Sequence, residues 1–103
     1  MDPARAELAG RVITALSARP DLAMRVSQID VTDLHDAVVI LDGNTALLRL
    51  GEREFAERVQ QYLDVMPAIR ERLAAVDSVD LRFDDRLYVQ PVRRPLPAAG
   101  TRN

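Results

Sequence analysis

The run Asp30, Asp33, His35 and Asp36 is the part of this sequence that most resembles a metal site. Carboxylates bind hard cations, and an imidazole adds the option of a transition metal. However, the spacing matches no calcium-binding loop, the chain has one His, and Asp is a common turn residue. The run therefore favours a polar turn with an exposed His over a metal site.

Two pairs of carboxylates have the side-chain types of general acid–base catalysis: Asp77 with Asp80, and Asp84 with Asp85. Adjacent side chains in a turn diverge, and the surrounding sequence offers no evident apolar enclosure that would shift a pKa. No serine lies in a nucleophile elbow, and no glycine-rich loop is present that could hold a phosphate. We therefore expect a domain that is not an enzyme and that needs no cofactor or metal.

The composition indicates one folded domain. The chain has 103 residues, of which 48% are hydrophobic, and it contains no Cys, so disulfides and thiolate chemistry are excluded. Its 14 basic residues, all Arg, are balanced by 16 acidic ones, which gives no positive field for nucleic acid. No apolar run is long enough to span a membrane, and the N-terminus is unlike a signal peptide.

The spacing of apolar residues divides the chain into helices and strands. Leu8, Val12 and Leu16 share a helical face, whereas Ala37 to Leu41 is a continuous apolar run with β-branched residues at its centre, followed by the hairpin signal Asp42-Gly43. The predicted elements are helix 3–18, strands 24–31, 37–41 and 45–50, helix 52–73, and strands 78–83 and 86–90. They predict an α+β domain over 1–91: a mixed or antiparallel sheet of about five strands, two main helices packed on one face, and the C-terminal strand at the sheet edge. Residues 92–103 have no periodicity and are predicted to be a disordered tail.

Three local features refine this prediction. The apolar phase slips within 24–31, which predicts a one-residue bulge near Ser27 and Gln28. Pro67 is expected to kink or restart the long helix, with a second short piece over 68–75. Glu54 and Arg58 have the spacing of an ion pair on the solvent side of that helix.

Three segments in the same order resemble the C-terminal β domain of the FtsQ/DivIB cell-division family. They are VVILDGNTALLRLG (38–51), EREFAERVQQYLDVMPAIRERL (52–73) and VDSVDLRFDDRLYVQP (76–91). The resemblance extends over Ile29 to Pro91. It implies a non-catalytic scaffold of the division machinery, on the extracytoplasmic side of the cytoplasmic membrane at the septum. In this family a membrane helix and a POTRA domain precede the β domain, and neither is present in this chain.

The resemblance also implies partners and a site. The family binds small coiled-coil division proteins, the FtsB/FtsL or DivIC/FtsL pair, through its last strands. An edge strand presents unpaired main-chain groups that a partner strand can complete. Phe83 matches the family's contact aromatic, but its alternation with Val79 and Leu81 equally allows core packing. The expected partner-binding residues are Arg82, Phe83, Arg86, Leu87, Tyr88, Val89 and Gln90.

Two other classes of protein stay as alternatives at this point. One is a different extracytoplasmic adaptor, of POTRA-like or secretion-system type. The other, less favoured, is a small enzyme with Asp30, Asp33 and His35 gathered in a polar pocket.

Overall fold

The computed structural model describes residues 2–43, 46–73, 75–83 and 86–92. Within these ranges the chain forms three helices and five strands. In chain order they are α1 (Pro3–Ser17), α2 (Pro20–Ala23), β1 (Val26–Asp30), β2 (Ala37–Leu41), β3 (Leu47–Gly51), α3 (Phe55–Arg72), β4 (Val76–Asp80) and β5 (Tyr88–Pro91).

The strands form one open sheet in the order β1-β2-β3-β4-β5. All neighbouring strands are antiparallel except β3 and β4, which are parallel. The connection between β3 and β4 contains α3, because a parallel pair needs a long crossover that carries the chain back to the other end of the sheet. The predicted α+β fold, with its C-terminal strand at the edge, is confirmed.

One face of the sheet carries the helices and the core. Along β2, Ala37, Val39 and Leu41 are buried, while the alternating residues Val38 and Ile40 lie on the other face and are half-buried. The helices contribute side chains spaced at one helical face, such as Leu8, Val12 and Leu16 of α1 and Phe55, Val59 and Tyr62 of α3. The opposite face of the sheet is not covered by any helix that the structure describes.

The first strand is shorter than predicted at both ends, because it covers Val26–Asp30 rather than 24–31. Pro20–Ala23 form the short helix α2, and Met24 follows it with a largely exposed side chain. The first strand therefore begins at Val26 rather than at residue 24. The predicted bulge is confirmed, because Val26 opposes Leu41 while Gln28 opposes Ile40, which leaves Ser27 as the extra residue.

The long helix begins later than predicted and passes through its proline. Glu54, at φ 56°, precedes the first helical residue, so residues 52–54 form the turn into α3. The helix then runs without interruption to Arg72 and includes Pro67. Pro67 removes only the hydrogen bond to the Leu63 carbonyl, and the apolar stripe on both sides of it packs against the core. The expected separate piece over 68–75 is therefore wrong.

The last two strands differ from their predicted ranges: β4 begins two and ends three residues earlier, and β5 begins two residues later and ends one residue later. β4 ends at Asp80, because the Asp80 carboxylate accepts a hydrogen bond from the Arg82 N–H at 3.1 Å and turns the chain out of the sheet. Leu81 is still buried. β5 begins at Tyr88 and includes Pro91. The predicted strand 45–50 begins at Leu47 and ends at Gly51, with Ala46 outside it. Thr45 itself, the predicted turn at Asp84-Asp85 and the tail after Val92 lie outside the described residues.

Candidate functional site

Strand β5 is the C-terminal edge of the sheet. Its only neighbour among the described strands is β4, with Val79 opposite Val89 and Asp80 opposite Tyr88. The Val89 side chain is half-buried against the core, whereas Tyr88 is 52% exposed. Of the seven predicted site residues, four belong to this edge or precede it directly: Leu87, Tyr88, Val89 and Gln90.

The main chain of β5 is regular, which fixes the direction of its hydrogen-bonding groups. The Val92 N–H donates to the Ala75 carbonyl at 3.4 Å, so it points toward β4. Because the main-chain groups of successive strand residues alternate in direction, the N–H groups of Gln90 and Tyr88 also face β4. The N–H and carbonyl of Val89 therefore face outward. Pro91, which has no N–H, also falls at an outward position, where a proline costs no ladder bond.

Phe83 and Tyr88 form an aromatic pair next to this edge. Their ring centroids are 5.3 Å apart and the rings are nearly perpendicular, at 83°. Arg86 joins the pair, because its Nη1 donates to the Tyr88 hydroxyl at 3.5 Å. Phe83 is 42% exposed, so it does not belong to the core. The sequence allowed Phe83 to be either a core residue or an exposed one, because its alternation with Val79 and Leu81 predicts burial only if the strand continues. β4 ends three residues before Phe83.

Arg82 is fixed by a bidentate ion pair with Asp80. Its Nε donates to Asp80 Oδ1 at 2.9 Å and its Nη2 donates to Asp80 Oδ2 at 2.7 Å. The hydrogen bond from Arg82 is the main cause that lowers the pKa of the Asp80 carboxyl, and the same bond raises the pKa of the guanidinium. Both groups stay charged at neutral pH, and the guanidinium is held next to the start of β5.

Arg58 is a site residue that the sequence analysis assigned wrongly. Its side chain is not paired with Glu54 on the solvent side; the residue is only 5% exposed. Its Nη1 donates to the Leu50 carbonyl of β3, and its Nη2 donates to the Arg82 carbonyl at 3.2 Å. The spacing of residues along a helix does not show that a charged side chain will bind main-chain carbonyls of another segment. No feature of the sequence therefore pointed to the contacts of Arg58 with the Leu50 and Arg82 carbonyls.

A second ionic link lies on the uncovered face of the sheet. Asp36, which is buried, accepts from Arg49 Nε at 2.7 Å and from the Gly51 N–H at 3.0 Å. Arg49 in turn lies 3.8 Å from Asp80 through its Nη1. The register places Arg49 beside Asp80, and Asp80 beside Tyr88. A chain of alternating charges therefore connects β3 to the edge strand.

The residues of the metal-like run have other contacts. Asp30 and Asp33 each accept a main-chain N–H two residues later, from Thr32 at 2.8 Å and from His35 at 2.9 Å. His35 is largely exposed and its Nδ1 lies 3.4 Å from Glu52. Across the part of the chain that the structure describes, no three His, Cys, Asp or Glu side chains gather as metal ligands. These residues form turns at the end of the sheet where Arg82 lies.

A cleft of about 430–490 Å³ is present at each end of the sheet. The one nearer to the start of β5, called here the basic cleft, has His35, Arg53 and Arg82 on its walls together with the acidic Glu52, and Arg58 beneath. The other lies between α2 and the C-terminal half of α3 and is lined in part by Met24, Leu63 and Met66. The basic cleft includes Arg82 of the predicted site, whose guanidinium can bind a carboxylate.

None of the described helices is both long enough and apolar enough to cross a membrane.

Comparison with known proteins identifies the family. The model of the family "Cell division protein FtsQ/DivIB, C-terminal" matches residues 3–82. A curated relative, "Cell division protein FtsQ" from Koribacter versatilis (strain Ellin345), is 32% identical over 78 residues, which are 74% of this chain and 22% of the relative. The chain therefore spans less than a quarter of that relative's length. The family model confirms the resemblance that the sequence indicated. Its matched range includes α1 and Arg82 and ends before β5. This chain belongs to the FtsQ/DivIB family of cell-division proteins and carries that family's C-terminal domain.

Proposed function

We propose that this domain is a non-catalytic scaffold of the division machinery that binds a partner protein by accepting its strand along β5. The single observation that carries the proposal is the regular outer edge of β5, which pairs with no second strand among the described residues and lies next to an exposed aromatic pair and a fixed Arg. The family resemblance supplies the partner class: small coiled-coil division proteins of the FtsB/FtsL or DivIC/FtsL type. It also supports a location on the extracytoplasmic side of the cytoplasmic membrane at the septum, with a membrane anchor upstream in the full-length protein.

The contrast between the two sheet edges supports β5 as the receiving strand. The outer strand β1 contains the Ser27 bulge, which bends the strand and increases its local twist. At the other edge the extra residue lies in β4, between Val76 and Ser78, so β5 itself stays regular. An ordinary extended peptide has outward groups at every second residue, and β5 offers the matching spacing.

Side chains around the edge supply the specificity. Phe83 and Tyr88 present an exposed aromatic surface on which a partner's apolar side chain can pack, and aromatic residues are common anchors in interfaces. Arg82 uses Nε and Nη2 for Asp80 and has further donors on Nη1 for an incoming carboxylate. We therefore expect the bound segment to combine an extended stretch with an acidic residue that enters the basic cleft.

Substitution at Val89 tests the strand addition directly. Val89→Pro removes the outward N–H and leaves the bonds that Tyr88 and Gln90 make to β4, so the fold should be kept. We expect affinity for the purified extracytoplasmic part of the FtsB/FtsL or DivIC/FtsL pair to fall at least tenfold in isothermal titration calorimetry. Val89→Ala is the matched control, because it shortens the same side chain but keeps the N–H, and it should change affinity by less than about threefold.

Equal binding by Val89→Pro and Val89→Ala would remove strand addition at β5. Far-UV circular dichroism and urea unfolding of both variants establish that each is folded. The small-enzyme alternative has no support in the placement of Asp30, Asp33 and His35, which form turns rather than one pocket. The family match favours the scaffold domain over an unrelated adaptor of POTRA-like or secretion-system type.

A further inference from the structure

The residues that follow β4, numbers 81–83, leave the sheet and include two of the predicted contact side chains. The Leu81 N–H still donates to the Arg49 carbonyl of β3 at 2.9 Å, and the Leu81 side chain is completely buried. The next N–H, that of Arg82, donates to the Asp80 side chain instead of to a strand. The Arg82 carbonyl lies two residues past the end of β4, so the pairing of the strands does not fix its position.

A buried guanidinium from helix α3 binds this carbonyl. Arg58 Nη2 donates to the Arg82 carbonyl at 3.2 Å, while Arg58 Nη1 donates to the Leu50 carbonyl of β3. Because two different nitrogens of one rigid fork are bonded, the plane of the guanidinium is fixed between the two acceptors. Arg58 is almost completely buried, and a hydrogen bond is electrostatically stronger where water is excluded.

The bonded carbonyl belongs to the peptide group that joins Arg82 to Phe83. A peptide group is planar, so its orientation is linked to the ψ angle of the residue before it and to the φ angle of the residue after it. One bond therefore acts on both side chains. Arg82, paired with Asp80, lines the basic cleft, and Phe83 packs perpendicular to Tyr88. Arg58 supports both contact residues from beneath.

Gly51 leaves the space in which these groups meet. The residue has φ +75°, and a Cβ on it would lie 3.1 Å from Arg58 Nη1 and 3.2 Å from Arg82 Cγ. Both distances are shorter than an optimal van der Waals contact, so a side chain at this position would displace both groups. The contact between α3 and residues 81–83 therefore depends on a glycine at the end of β3.

From the two carbonyl bonds, the shared peptide group and the space at Gly51, we propose that Arg58 is a positioning residue for the partner site. It holds the Arg82 guanidinium and the Phe83 ring in the orientation in which they meet a carboxylate and an apolar side chain of the partner. This role rests on the binding proposed above. Two side chains that are already ordered need not be ordered on binding, and loss of that order lowers affinity roughly five- to a hundredfold.

Arg58→Lys tests the positioning role. Lys keeps the positive charge, but its single nitrogen cannot take the places of both Nη1 and Nη2. Affinity for the purified extracytoplasmic part of the FtsB/FtsL or DivIC/FtsL pair, measured by isothermal titration calorimetry, should fall roughly five- to a hundredfold. Val12→Ala is the control, because it shortens a completely buried side chain of α1 and lowers stability outside the site. It should change affinity by less than about twofold.

Gly51→Ala is a second variant that keeps every donor and acceptor, and it serves if circular dichroism shows that Arg58→Lys does not fold. The added methyl group crowds Arg58 Nη1 and Arg82 Cγ, so affinity should fall in the same direction. Gly10→Ala is the matched control, because it adds the same methyl group where nothing lies within 4 Å. It should change affinity by less than about twofold.

A double-mutant cycle separates positioning from a general loss of structure. In the background Arg82→Ala/Phe83→Ala the carbonyl that Arg58 binds is still present, but the side chains that it positions are absent. Arg58→Lys should therefore change affinity by less than about twofold in this background. A purely structural role would lower affinity by the same factor in both backgrounds, and that result would overturn the proposal.

Proton NMR of the unbound domain tests the same role without a partner. The packing of Phe83 on Tyr88 should give cross-peaks between the two rings, whose centroids are 5.3 Å apart. Arg58→Lys should weaken these cross-peaks and Val12→Ala should keep them; unchanged cross-peaks in Arg58→Lys would overturn the proposal. Equal binding by the wild type and Arg58→Lys would overturn the positioning role alone, whereas a wild type that does not bind would overturn the proposed function and this role with it.

Discussion

Replacement of Arg58 by Met is expected to destabilise the domain strongly. Arg58 is almost completely buried and donates to the carbonyls of Leu50, near the end of β3, and Arg82, just beyond the end of the neighbouring β4. A hydrogen bond from a charged donor contributes roughly 1.5–3 kcal/mol, so the two together contribute about 3–6 kcal/mol. Met fills much of the same volume and recovers roughly 1–2 kcal/mol through burial. The expected net loss is about 1–5 kcal/mol of the free energy of unfolding, with a central value of about 3 kcal/mol.

Urea unfolding followed by circular dichroism at 222 nm measures this loss. For a domain of this size the same change lowers the melting temperature by roughly 10 °C or more. Arg53→Met is the matched control, because that side chain is 74% exposed in the turn that leads into the same helix. It should change stability by less than about 0.5 kcal/mol. A loss below about 1 kcal/mol in Arg58→Met would show that the two carbonyls are satisfied by water and that the buried guanidinium does not hold the strand ends together.

Three further predictions concern positions that the structure places in contrasting surroundings. Asp36→Ala removes the carboxylate that accepts hydrogen bonds from the Gly51 N–H and from the Arg49 guanidinium. This variant should lower the free energy of unfolding by about 2–3 kcal/mol in urea unfolding. Gly51→Ala should destabilise the domain by about 1–3 kcal/mol, because the residue has φ +75° and a new Cβ would lie 3.1 Å from Arg58 Nη1. Gly10→Ala should instead stabilise it by about 0.5–1 kcal/mol, because Gly10 lies in the middle of α1 with open space around it. The pKa of the Asp80 carboxyl is lowered in the folded state, so its contribution to stability is present above the unfolded pKa of about 3.9 and is lost as the pH falls through the lower, folded value. Asp80→Asn should therefore make the free energy of unfolding fall less steeply below about pH 4, as measured by urea titrations at several pH values.

The elements that sequence predicted well are those whose signal is local. The bulge in β1 followed from a slip in the apolar phase, since a single extra residue moves every later side chain to the other face. The edge position of β5 followed from its place at the end of the sheet-forming segments and from Pro91, which cannot donate in a central strand. The family resemblance was visible because it depended on the order of three segments.

The features that sequence did not predict depend on contacts between distant parts of the chain. The burial of Arg58 results from carbonyls eight and 24 residues away along the chain. The alternation that includes Phe83 predicts a core residue only if the strand continues, and the Asp80 side chain ends it. Pro67 lies inside a helix because tertiary packing on both sides outweighs the loss of one hydrogen bond.

The two sheet edges differ in a way that bears on how the protein can assemble. An open sheet whose edges fit each other forms a head-to-tail contact, and such a contact extends into fibres unless it closes. Here β1 contains the Ser27 bulge, which bends the strand and increases its local twist. β5 has no bulge of its own, because the extra residue at that edge lies in β4. Bulges at sheet edges hinder pairing with another chain. The single extra residue in β1 therefore acts against indefinite edge-to-edge growth, while β5 keeps the regular geometry that the proposed strand addition needs.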